Sequence, residues 1–304
     1  MSTYPSYLGL YKDGTLQERI DSLSAMLESC TLCPRNCGVN RLEGKMGVCR
    51  AGKKAVVSDA FPHFGEEPPL TGRGGSGTIF FSNCNLRCVF CQNYGISHLG
   101  EGSEADSGDL AGMMLKLQRS GCHNINLVTP THYAPQIIAA LPAAIEGGLE
   151  LPIVWNCGGF ESAEVIRLLD GIVDIYMPDM KYSDDVNSIK YSKAPFYFRV
   201  AKEAVREMHS QVGDLEVDAS GIARRGLLIR HLVMPGGVAG SERVINFIAE
   251  EISRNSYLNI MDQYHPCYRA GEFPEIDRPV SEDEFSGVIA YAREAGLERI
   301  VGWL

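Results

Sequence analysis

The chain has 304 residues, 45% of them hydrophobic, and a formal net charge of -10 at pH 7. This length and composition allow one large α/β domain with a small appendage. The charge argues against a partner held mainly through its phosphates, which needs Lys and Arg for neutralisation, although a local basic patch stays open. No run approaches the ~20 apolar residues that span a bilayer, and no signal-peptide-like segment stands at the start. We therefore expect a cytoplasmic protein.

The first 75 residues predict a short helix followed by a cysteine-rich segment. Leu16, Ile20, Leu23 and Leu27 recur at helical spacing and indicate one amphipathic helix. Four possible thiolate ligands follow it: Cys30, Cys33, Cys37 and Cys49. Four thiolates close a metal site, and both a structural zinc ion and an auxiliary [4Fe-4S] cluster accept four cysteines. Unligated cysteines are disfavoured, because this segment is too rich in Gly and Arg to bury them in a core of its own.

Beyond a breaker-rich linker at residues 62–77, strand and helix patterns alternate along the chain, so we place a domain boundary near 75. Repeated βα units predict an α/β fold with a parallel sheet in residues 76–304. Residues 213–226 read as an inserted hairpin. After a short strand at 55–61, the predicted strands are 78–82, 125–128, 153–156, 173–177, 227–233 and 258–261, and the predicted helices are 110–120, 135–144, 163–169, 195–211, 242–252 and 281–295.

Three further cysteines, Cys84, Cys88 and Cys91, stand at C-x3-C-x2-C spacing just past an apolar run. Three thiolates on one loop can each hold one iron of a [4Fe-4S] cube and leave the fourth iron open to a substrate or cosubstrate. A zinc knuckle on the same thiols is the alternative, but structural zinc prefers four protein ligands. Seven of the ten cysteines thus lie in two clusters with metal-ligand spacing, which fits a reducing compartment.

This cysteine spacing, with the aromatic Phe90 just before the last cysteine, resembles the cluster loop of the radical S-adenosylmethionine (radical SAM) enzymes. The resemblance covers roughly residues 65–270. It implies a partial (βα)6 TIM-like barrel with a small N-terminal Cys-rich extension. It also implies that S-adenosylmethionine binds the open iron and is cleaved by one electron to a 5'-deoxyadenosyl radical.

The same resemblance assigns cosubstrate contacts at the ends of the predicted strands, where ligands of βα barrels gather. Thr129 and Thr131 stand where activating enzymes of this superfamily usually show a Gly-Gly-Glu-like turn, so the chain departs from the pattern there; an ordinary turn is the alternative. The other implied contacts are Phe90, Asn156, Asp179, Lys181, Arg230 and His265. Asp179 and Lys181 would contact the ribose hydroxyls and the methionyl carboxylate. The structural alternatives are an exposed charged pair for these two, and an ion pair with Asp179 for Arg230.

Two cysteines outside both clusters, Cys157 and Cys267, follow the third and sixth predicted barrel strands. Each is a candidate hydrogen-atom donor, because a thiol S–H bond is weak. The commoner role of a free cysteine is that of a small buried side chain.

The leading hypothesis is a radical SAM enzyme resembling pyruvate formate-lyase activating enzymes, in an uncharacterised activase-like branch. The resemblance implies an electron donor such as a flavodoxin or ferredoxin. The substrate would be a glycine loop of a partner protein, another peptide or a small metabolite. The alternative is an iron-sulfur electron carrier or redox sensor, or a zinc-stabilised binding protein, without SAM chemistry.

Overall fold

The computed structural model describes residues 4–302, which form ten strands and ten α-helices with short 3-10 and π-helical turns between them. The strands are β1 (Ala55–His63), β2 (Ser76–Phe81), β3 (Ser103–Ala105), β4 (Ile125–Val128), β5 (Ile153–Cys157), β6 (Ile175–Pro178), β7 (Glu216–Val217), β8 (Ala223–Leu232), β9 (Tyr257–Met261) and β10 (Ile300–Val301). The helices are α1 (Tyr7–Asp13), α2 (Thr15–Ala25), α3 (Pro68–Thr71), α4 (Ser107–Arg119), α5 (Ala134–Glu146), α6 (Ala163–Leu168), α7 (Asp185–Ser192), α8 (Tyr197–Val212), α9 (Ser241–Phe247) and α10 (Glu282–Glu294).

A single sheet organises these elements, with the strand order β10-β9-β8-β6-β5-β4-β2-β1-β3. Neighbours from β2 through β10 are parallel, whereas β1 pairs antiparallel with both β2 and β3. Within residues 4–302 no strand pairing joins β10 to β3, so the sheet is open. This confirms the predicted α/β fold, in which the carboxyl ends of six parallel strands, β2, β4, β5, β6, β8 and β9, meet along one edge.

The parallel strands are short apolar runs because both faces of the sheet are covered. Helices pack on one face, and the other face is turned to the interior of the protein. Every residue of β5 is buried, as is every residue of β6. Helix α4 packs on β2 and β4, and α8 packs on β6 and β8. Helix α4 begins at a capping box in which Asp106 accepts from the backbone N–H of Asp109, and the Asp109 carboxylate accepts from that of Asp106.

The amino-terminal residues pack on the sheet's helical layer. The predicted helix around residues 15–27 is confirmed as α2, which buries Leu16, Ile20 and Leu23 and packs against α5 and α6. The hydroxyl of Ser6 donates to Asp174 Oδ1 at 2.8 Å, just before β6. The division predicted near residue 75 falls between β1 and β2, which are hydrogen-bonded neighbours, and buried residues from both sides share one core.

Several elements differ from the prediction for local reasons. Helix α1 is short and buries only Tyr7, so its periodicity is weak. Strand β1 continues through Pro62, where the sequence predicts a linker; β3 pairs only with residues 55–57, so Pro62 has no neighbour on its outer side and its missing N–H costs no ladder bond. The predicted hairpin at 213–226 is confirmed, with Glu216 opposite Arg225. No helix among residues 4–302 has the length and apolarity that crossing a membrane requires.

Candidate functional site

The loop that carries the three spaced cysteines follows β2 and is held by the residues around it. The backbone N–H of Val89 donates to the carbonyl of Tyr191 at 2.8 Å, and the side-chain amide of Asn85 donates to the carbonyl of Phe160 at 2.6 Å. Asn83 takes a left-handed φ of 69°, which turns the chain sharply at the end of β2. The cysteine positions are therefore set by contacts to two other parts of the chain, the turn after β5 and helix α7.

Each of the three thiols has a hydrogen-bond partner, and all three line one cavity of about 380 Å³. The backbone N–H of Leu86 donates to the Sγ of Cys84 at 3.3 Å. The hydroxyl of Ser192 donates to the Sγ of Cys88 at 3.0 Å, and the Sγ of Cys91 lies 3.1 Å from the hydroxyl of Ser97. Such bonds stabilise thiolate sulfurs.

Burial raises the pKa of the Cys84 and Cys88 thiols, that of Cys88 to about 11. The ammonium of Lys181 partly offsets the effect at both thiols. A bound metal ion lowers the pKa of its thiol ligands and so favours the thiolate form. Within the described residues, no group of three or more His, Cys, Asp or Glu side chains is arranged to hold a single metal ion. The donor set nevertheless fits a cluster, because each thiolate of a cube binds a different iron.

The carboxyl ends of the parallel strands also line this cavity. The lining includes Thr129 after β4, Asn156 and Cys157 in β5, and Asp179 and Lys181 after β6. Strand β8 contributes Arg230 and Leu232, and β9 with its following turn contributes Met261, Gln263 and Tyr264. The ring of Phe90 meets that of Tyr264 edge-on, with centroids 5.7 Å apart. Thiols and strand-end polar groups predicted from the sequence thus share one cavity.

The charged residues of this lining form one network around Asp179. The Nζ of Lys181 donates to Asp179 Oδ2 at 2.6 Å, and the Nε of Arg230 donates to Asp179 Oδ1 at 2.8 Å. The Nη2 of Arg230 donates to Asn156 Oδ1 at 2.8 Å. Burial would raise the pKa of Asp179, but the cations of Arg230 and Lys181 hold that pKa below its ordinary value. The ion pair between Arg230 and Asp179 that was weighed from the sequence is therefore present. Asp179 and Lys181 also pair, but their side chains are largely buried in the cavity and are not the exposed pair of the alternative.

Two carboxylates that sequence reasoning assigned to a linker complete this network. The Nη1 of Arg230 lies 3.7 Å from Glu66 Oε2 and 3.9 Å from Glu67 Oε1. Burial raises the pKa of Glu66 to about 7; Arg230 opposes that rise and Glu67 adds to it. The available signal was Arg230 itself, because a charge inside an apolar strand needs acidic partners and Asp179 is only one of them.

The turn after β4 places its two threonines differently. Thr129 lines the cavity with a φ of 58°, a strained conformation for a β-branched residue, and its N–H donates to the Asn156 carbonyl at 2.8 Å. Thr131 is fully buried behind the turn, and its hydroxyl donates to Glu161 Oε1 at 2.6 Å. Only the first threonine is among the residues that line the cavity.

The remaining predicted residues divide between the cavity and its rim. Cys157 lines the cavity and is 2% exposed. His265 does not line the cavity, but it contacts a residue that does. Its Nδ1 lies 3.3 Å from the Nε2 of Gln92, a lining residue. Cys267 is likewise outside the lining and is half-buried. The structure therefore separates the two hydrogen-donor candidates, since only Cys157 lines the space where a cosubstrate would lie.

The four amino-terminal cysteines form a second cluster of thiols. Cys30, Cys33 and Cys49 are buried and Cys37 is half-buried. Burial raises the pKa of Cys33 to about 12, and the neighbouring Cys49 and Cys30 thiols add to the rise. A Cβ on Gly47 would lie 2.4 Å from the Cys37 sulfur, so a larger residue there would displace the Cys37 side chain. Loop backbone supports the cluster, since the N–H of Cys30 donates to the carbonyl of Val39.

Comparison with solved structures finds similar chains of low identity. They include SuiB of Streptococcus suis bound to precursor peptide SuiA (TM-score 0.49, 12% identity, 73% of this chain and 47% of that chain) and anSMEcpe with bound AdoMet and Cp18Cys peptide (TM-score 0.47, 10% identity, 70% and 56%). HydG, a maturase of the [FeFe]-hydrogenase, is another (TM-score 0.46, 13% identity, 72% and 49%). This chain spans about half the length of these three solved chains.

Comparison of sequences gives a relative over nearly the whole chain. No protein-family model matches the sequence. The uncharacterized protein MJ0674 of Methanocaldococcus jannaschii is 30% identical over 298 residues, which cover 95% of this chain and 81% of that protein. This chain therefore belongs to the same protein family as MJ0674.

Proposed function

We propose that this protein is a radical SAM enzyme. The observation that carries the proposal is the shared cavity, which Cys84, Cys88 and Cys91 line together with Asn156, Asp179, Lys181 and Arg230. A thiol triad alone would suit an electron-transfer cluster as well. Strand-end groups that can bind an amino acid and a ribose give such a cluster a cosubstrate to act on.

The chain's residues divide into holding and orienting roles. Cys84, Cys88 and Cys91 would hold a [4Fe-4S] cluster, whose chemistry when bound is to deliver one electron that cleaves S-adenosylmethionine to a 5'-deoxyadenosyl radical. The ammonium of Lys181 can bind the methionyl carboxylate, and Asp179 can accept from the ribose hydroxyls. Arg230 holds Asp179 and Asn156 in place, since it donates to both.

The apolar part of the lining serves the nucleoside and excludes water. Leu86, Phe90, Val128 and Met261 surround the polar groups, so an adenine would lie against apolar surface. Thr129, with its strained backbone, would offer a carbonyl or hydroxyl acceptor to the methionyl amino group. Exclusion of water protects a reactive radical from side reactions.

We extend the proposal to the reaction and its partners. The enzyme would abstract a hydrogen atom from a protein, peptide or small-molecule substrate, as in the pyruvate formate-lyase activating enzyme-like branch that the cysteine loop resembles. Cys157 is then the better-placed hydrogen-atom donor of the two candidates, because it lines the cavity. A flavodoxin or ferredoxin would supply the electron, and the protein would work in the cytoplasm.

We further propose that Cys30, Cys33, Cys37 and Cys49 hold a second metal, either zinc or a [4Fe-4S] cluster. Support comes from the burial of these thiols and from the closeness of Cys33 to Cys49 and Cys30, whose thiols add to the rise of its pKa. Four thiolates can hold either metal. Within the described residues these four are not arranged around a single ion, so zinc would require their side chains to converge, whereas each thiolate of a cluster binds a different iron. Metal analysis of the purified protein distinguishes the two, through the zinc content and the iron and sulfide content.

The alternative function, an iron-sulfur electron carrier or zinc-stabilised binding protein, makes a different prediction about the cavity. Electron paramagnetic resonance of the reduced, anaerobically reconstituted protein tests it. If one iron is open to the cosubstrate, the spectrum changes when S-adenosylmethionine is added. An unchanged spectrum, with a full complement of iron, would favour the electron carrier.

A further inference from the structure

A second cavity, of about 550 Å³, adjoins the first along the segment between β1 and β2. Its lining includes Glu67 and Thr71 from that segment, Asn259 from β9 and Val301 from β10. The two cavities share five lining residues, namely Gly65, Glu66, Arg230, Met261 and Gln263. The side chain of Arg230 therefore borders both spaces.

Two buried acceptor atoms in this second cavity lack a donor. Glu67 is 5% exposed and Asn259 is 9% exposed. The Asn259 side-chain amide donates to Glu67 Oε1 at 2.9 Å, which leaves Glu67 Oε2 and Asn259 Oδ1 unpaired within the described residues. Buried polar atoms are nearly always paired, because an unmade hydrogen bond is costly. Both unpaired acceptors belong to residues that line this cavity, which indicates a ligand that donates.

The charges at the same place are unbalanced in favour of a cation. The buried side chains of Glu66, Glu67 and Asp179 face the two cations of Lys181 and Arg230. Because burial raises the pKa of Glu66 to about 7, that carboxyl is about half protonated at neutral pH, and the other two carry full negative charge. Asp179 takes the short contacts, at 2.6 Å to Lys181 and 2.8 Å to Arg230. Neither Glu66 nor Glu67 makes a hydrogen bond to a cation. Their carboxylate oxygens lie 3.7 and 3.9 Å from the Nη1 of Arg230, which is beyond hydrogen-bond length. Asp262 adds a further carboxylate to the lining.

We propose that the second cavity binds a cationic group of the substrate, an ammonium or guanidinium, through the carboxylates of Glu66 and Glu67 and the amide oxygen of Asn259. This inference rests on the proposed function, because the cavity adjoins the space where S-adenosylmethionine would lie. A substrate anchored there by its cation would extend past Arg230 toward the first cavity. The substrate class is therefore an amine or guanidine compound, or a peptide that presents Lys or Arg.

An anionic ligand fits the site less well, although Arg230 contributes to its lining. The Nε and Nη2 atoms of Arg230 already donate to Asp179 and Asn156, and its Nη1 faces Glu66 and Glu67. An anion would add a further negative group to a site that already holds more carboxylates than cations. The unpaired atoms of Glu67 and Asn259 are acceptors, and an anion offers them no donor.

Calorimetric binding of small probes to the full chain, reconstituted with iron and sulfide, tests the inference without any variant. Agmatine carries a guanidinium and an ammonium group, and pentylamine carries an ammonium group alone. The controls are 1-pentanol, which is neutral, and pentanoate, which is an anion of similar size. We expect measurable binding of both cations and at least tenfold weaker binding of the other two. Pentanoate or pentanol binding as tightly as the amines would overturn the inference.

Two variants then locate the site, since each removes one carboxylate charge, the first in the second cavity and the other on the surface away from it. Glu67→Gln keeps an acceptor for Asn259 but removes the charge and the unpaired acceptor, so agmatine affinity should fall at least tenfold. Glu203→Gln removes an exposed carboxylate from α8 and should leave affinity unchanged, which controls for general attraction to an acidic protein. Equal affinity in wild type and Glu67→Gln would overturn the assignment.

Cleavage of S-adenosylmethionine by the wild-type chain, measured separately, keeps the two proposals apart. If cleavage occurs and the amines do not bind, the substrate inference fails and the proposed function stands. If the amines bind at Glu67 and no cleavage occurs, the cation site stands and the proposed function fails.

Discussion

The guanidinium of Arg35, in the amino-terminal cysteine-rich segment, donates through Nε to the backbone carbonyl of Asn85 in the cluster loop at 2.9 Å. Its Nη1 donates to the carbonyl of Lys193, and its Cζ lies 5.2 Å from the centre of the Phe160 ring. Burial lowers the pKa of Arg35, and the nearby thiols of Cys33 and Cys84 oppose that shift. Arg35 therefore connects the two cysteine clusters directly.

Replacing this arginine should loosen the cluster loop. In Arg35→Leu the carbonyls of Asn85 and Lys193 lose their donor, and the loop that carries Cys84 and Cys88 loses one support. We expect iron to be lost several-fold faster to a chelator than from wild type. Arg119→Leu, an exposed change on α4, is the control and should behave as wild type. Identical rates for Arg35→Leu and wild type would mean that the contact does not support the site.

Removing a thiol from the amino-terminal cluster should remove its metal. Metal binding and folding are coupled in small cysteine-rich segments, so Cys33→Ser should lower the zinc or iron content and make residues 30–50 more sensitive to protease. Elemental analysis and limited proteolysis measure both effects. Cys122→Ala removes a buried cysteine outside both clusters and controls for loss of any thiol. Unchanged metal content in Cys33→Ser would contradict the second site.

Neutralising the cation beside Asp179 should weaken cosubstrate binding. Lys181→Gln removes the ammonium proposed to bind the methionyl carboxylate and leaves Asp179 paired with Arg230. Loss of a hydrogen bond to a charged group of this kind should raise the Kd for S-adenosylmethionine by roughly ten- to a hundredfold. Equilibrium binding to the reconstituted protein checks it, with the exposed Lys45→Gln as the matched control. An unchanged Kd would remove Lys181 from the cosubstrate site.

The buried His231 should make the fold sensitive to acid. Its Nδ1 donates to the Met180 carbonyl at 2.6 Å, and its Nε2 accepts from the Ser241 hydroxyl at 2.8 Å. An imidazole that donates through one nitrogen and accepts through the other is neutral. Burial lowers the pKa of His231 to about 4. As pH falls from about 6.5 toward 4, this histidine therefore binds a proton in the unfolded chain but not in the folded chain.

Stability is therefore lost across that pH range, and one such histidine contributes about 2 kcal/mol of the loss by about pH 5. His231→Gln cannot titrate and should lose about that much less free energy of unfolding than wild type between about pH 7.5 and pH 5. Urea unfolding at the two pH values measures the difference. Equal losses in the two proteins would show that His231 is protonated in the folded state.

The strand ends that line the cavity were predictable from local patterns, whereas the choice of individual residues there came from the resemblance to radical SAM enzymes. Each parallel strand is a short apolar run, so the ends that carry Asp179 and Arg230 follow from the alternation of strands and helices. The loop cysteines were predictable from their spacing alone. Glu66 and Glu67 were not, since their partner Arg230 lies about 160 residues away and the Pro-rich segment around them reads as a linker.

Contacts between distant segments account for the other differences. Thr131 was predicted as a cosubstrate contact, but the backbone turn that starts at Thr129 directs its hydroxyl to Glu161, away from the cavity. The role of Arg35 was invisible because its acceptors, Asn85 and Lys193, belong to different βα units. Spacing in a sequence predicts which residues share a loop, whereas pairing across the sheet depends on the fold.

Reductive cleavage of S-adenosylmethionine is the most direct test of the proposed function. Reduced, reconstituted protein should produce 5'-deoxyadenosine and methionine, measured by chromatography. Cys88→Ala should produce neither, because two thiolates cannot retain the cluster. Cys122→Ala, outside both clusters, should match wild type. Product formation at the wild-type rate in Cys88→Ala, or its absence from a wild-type protein with full iron content, would contradict the assignment of this cavity to radical SAM chemistry.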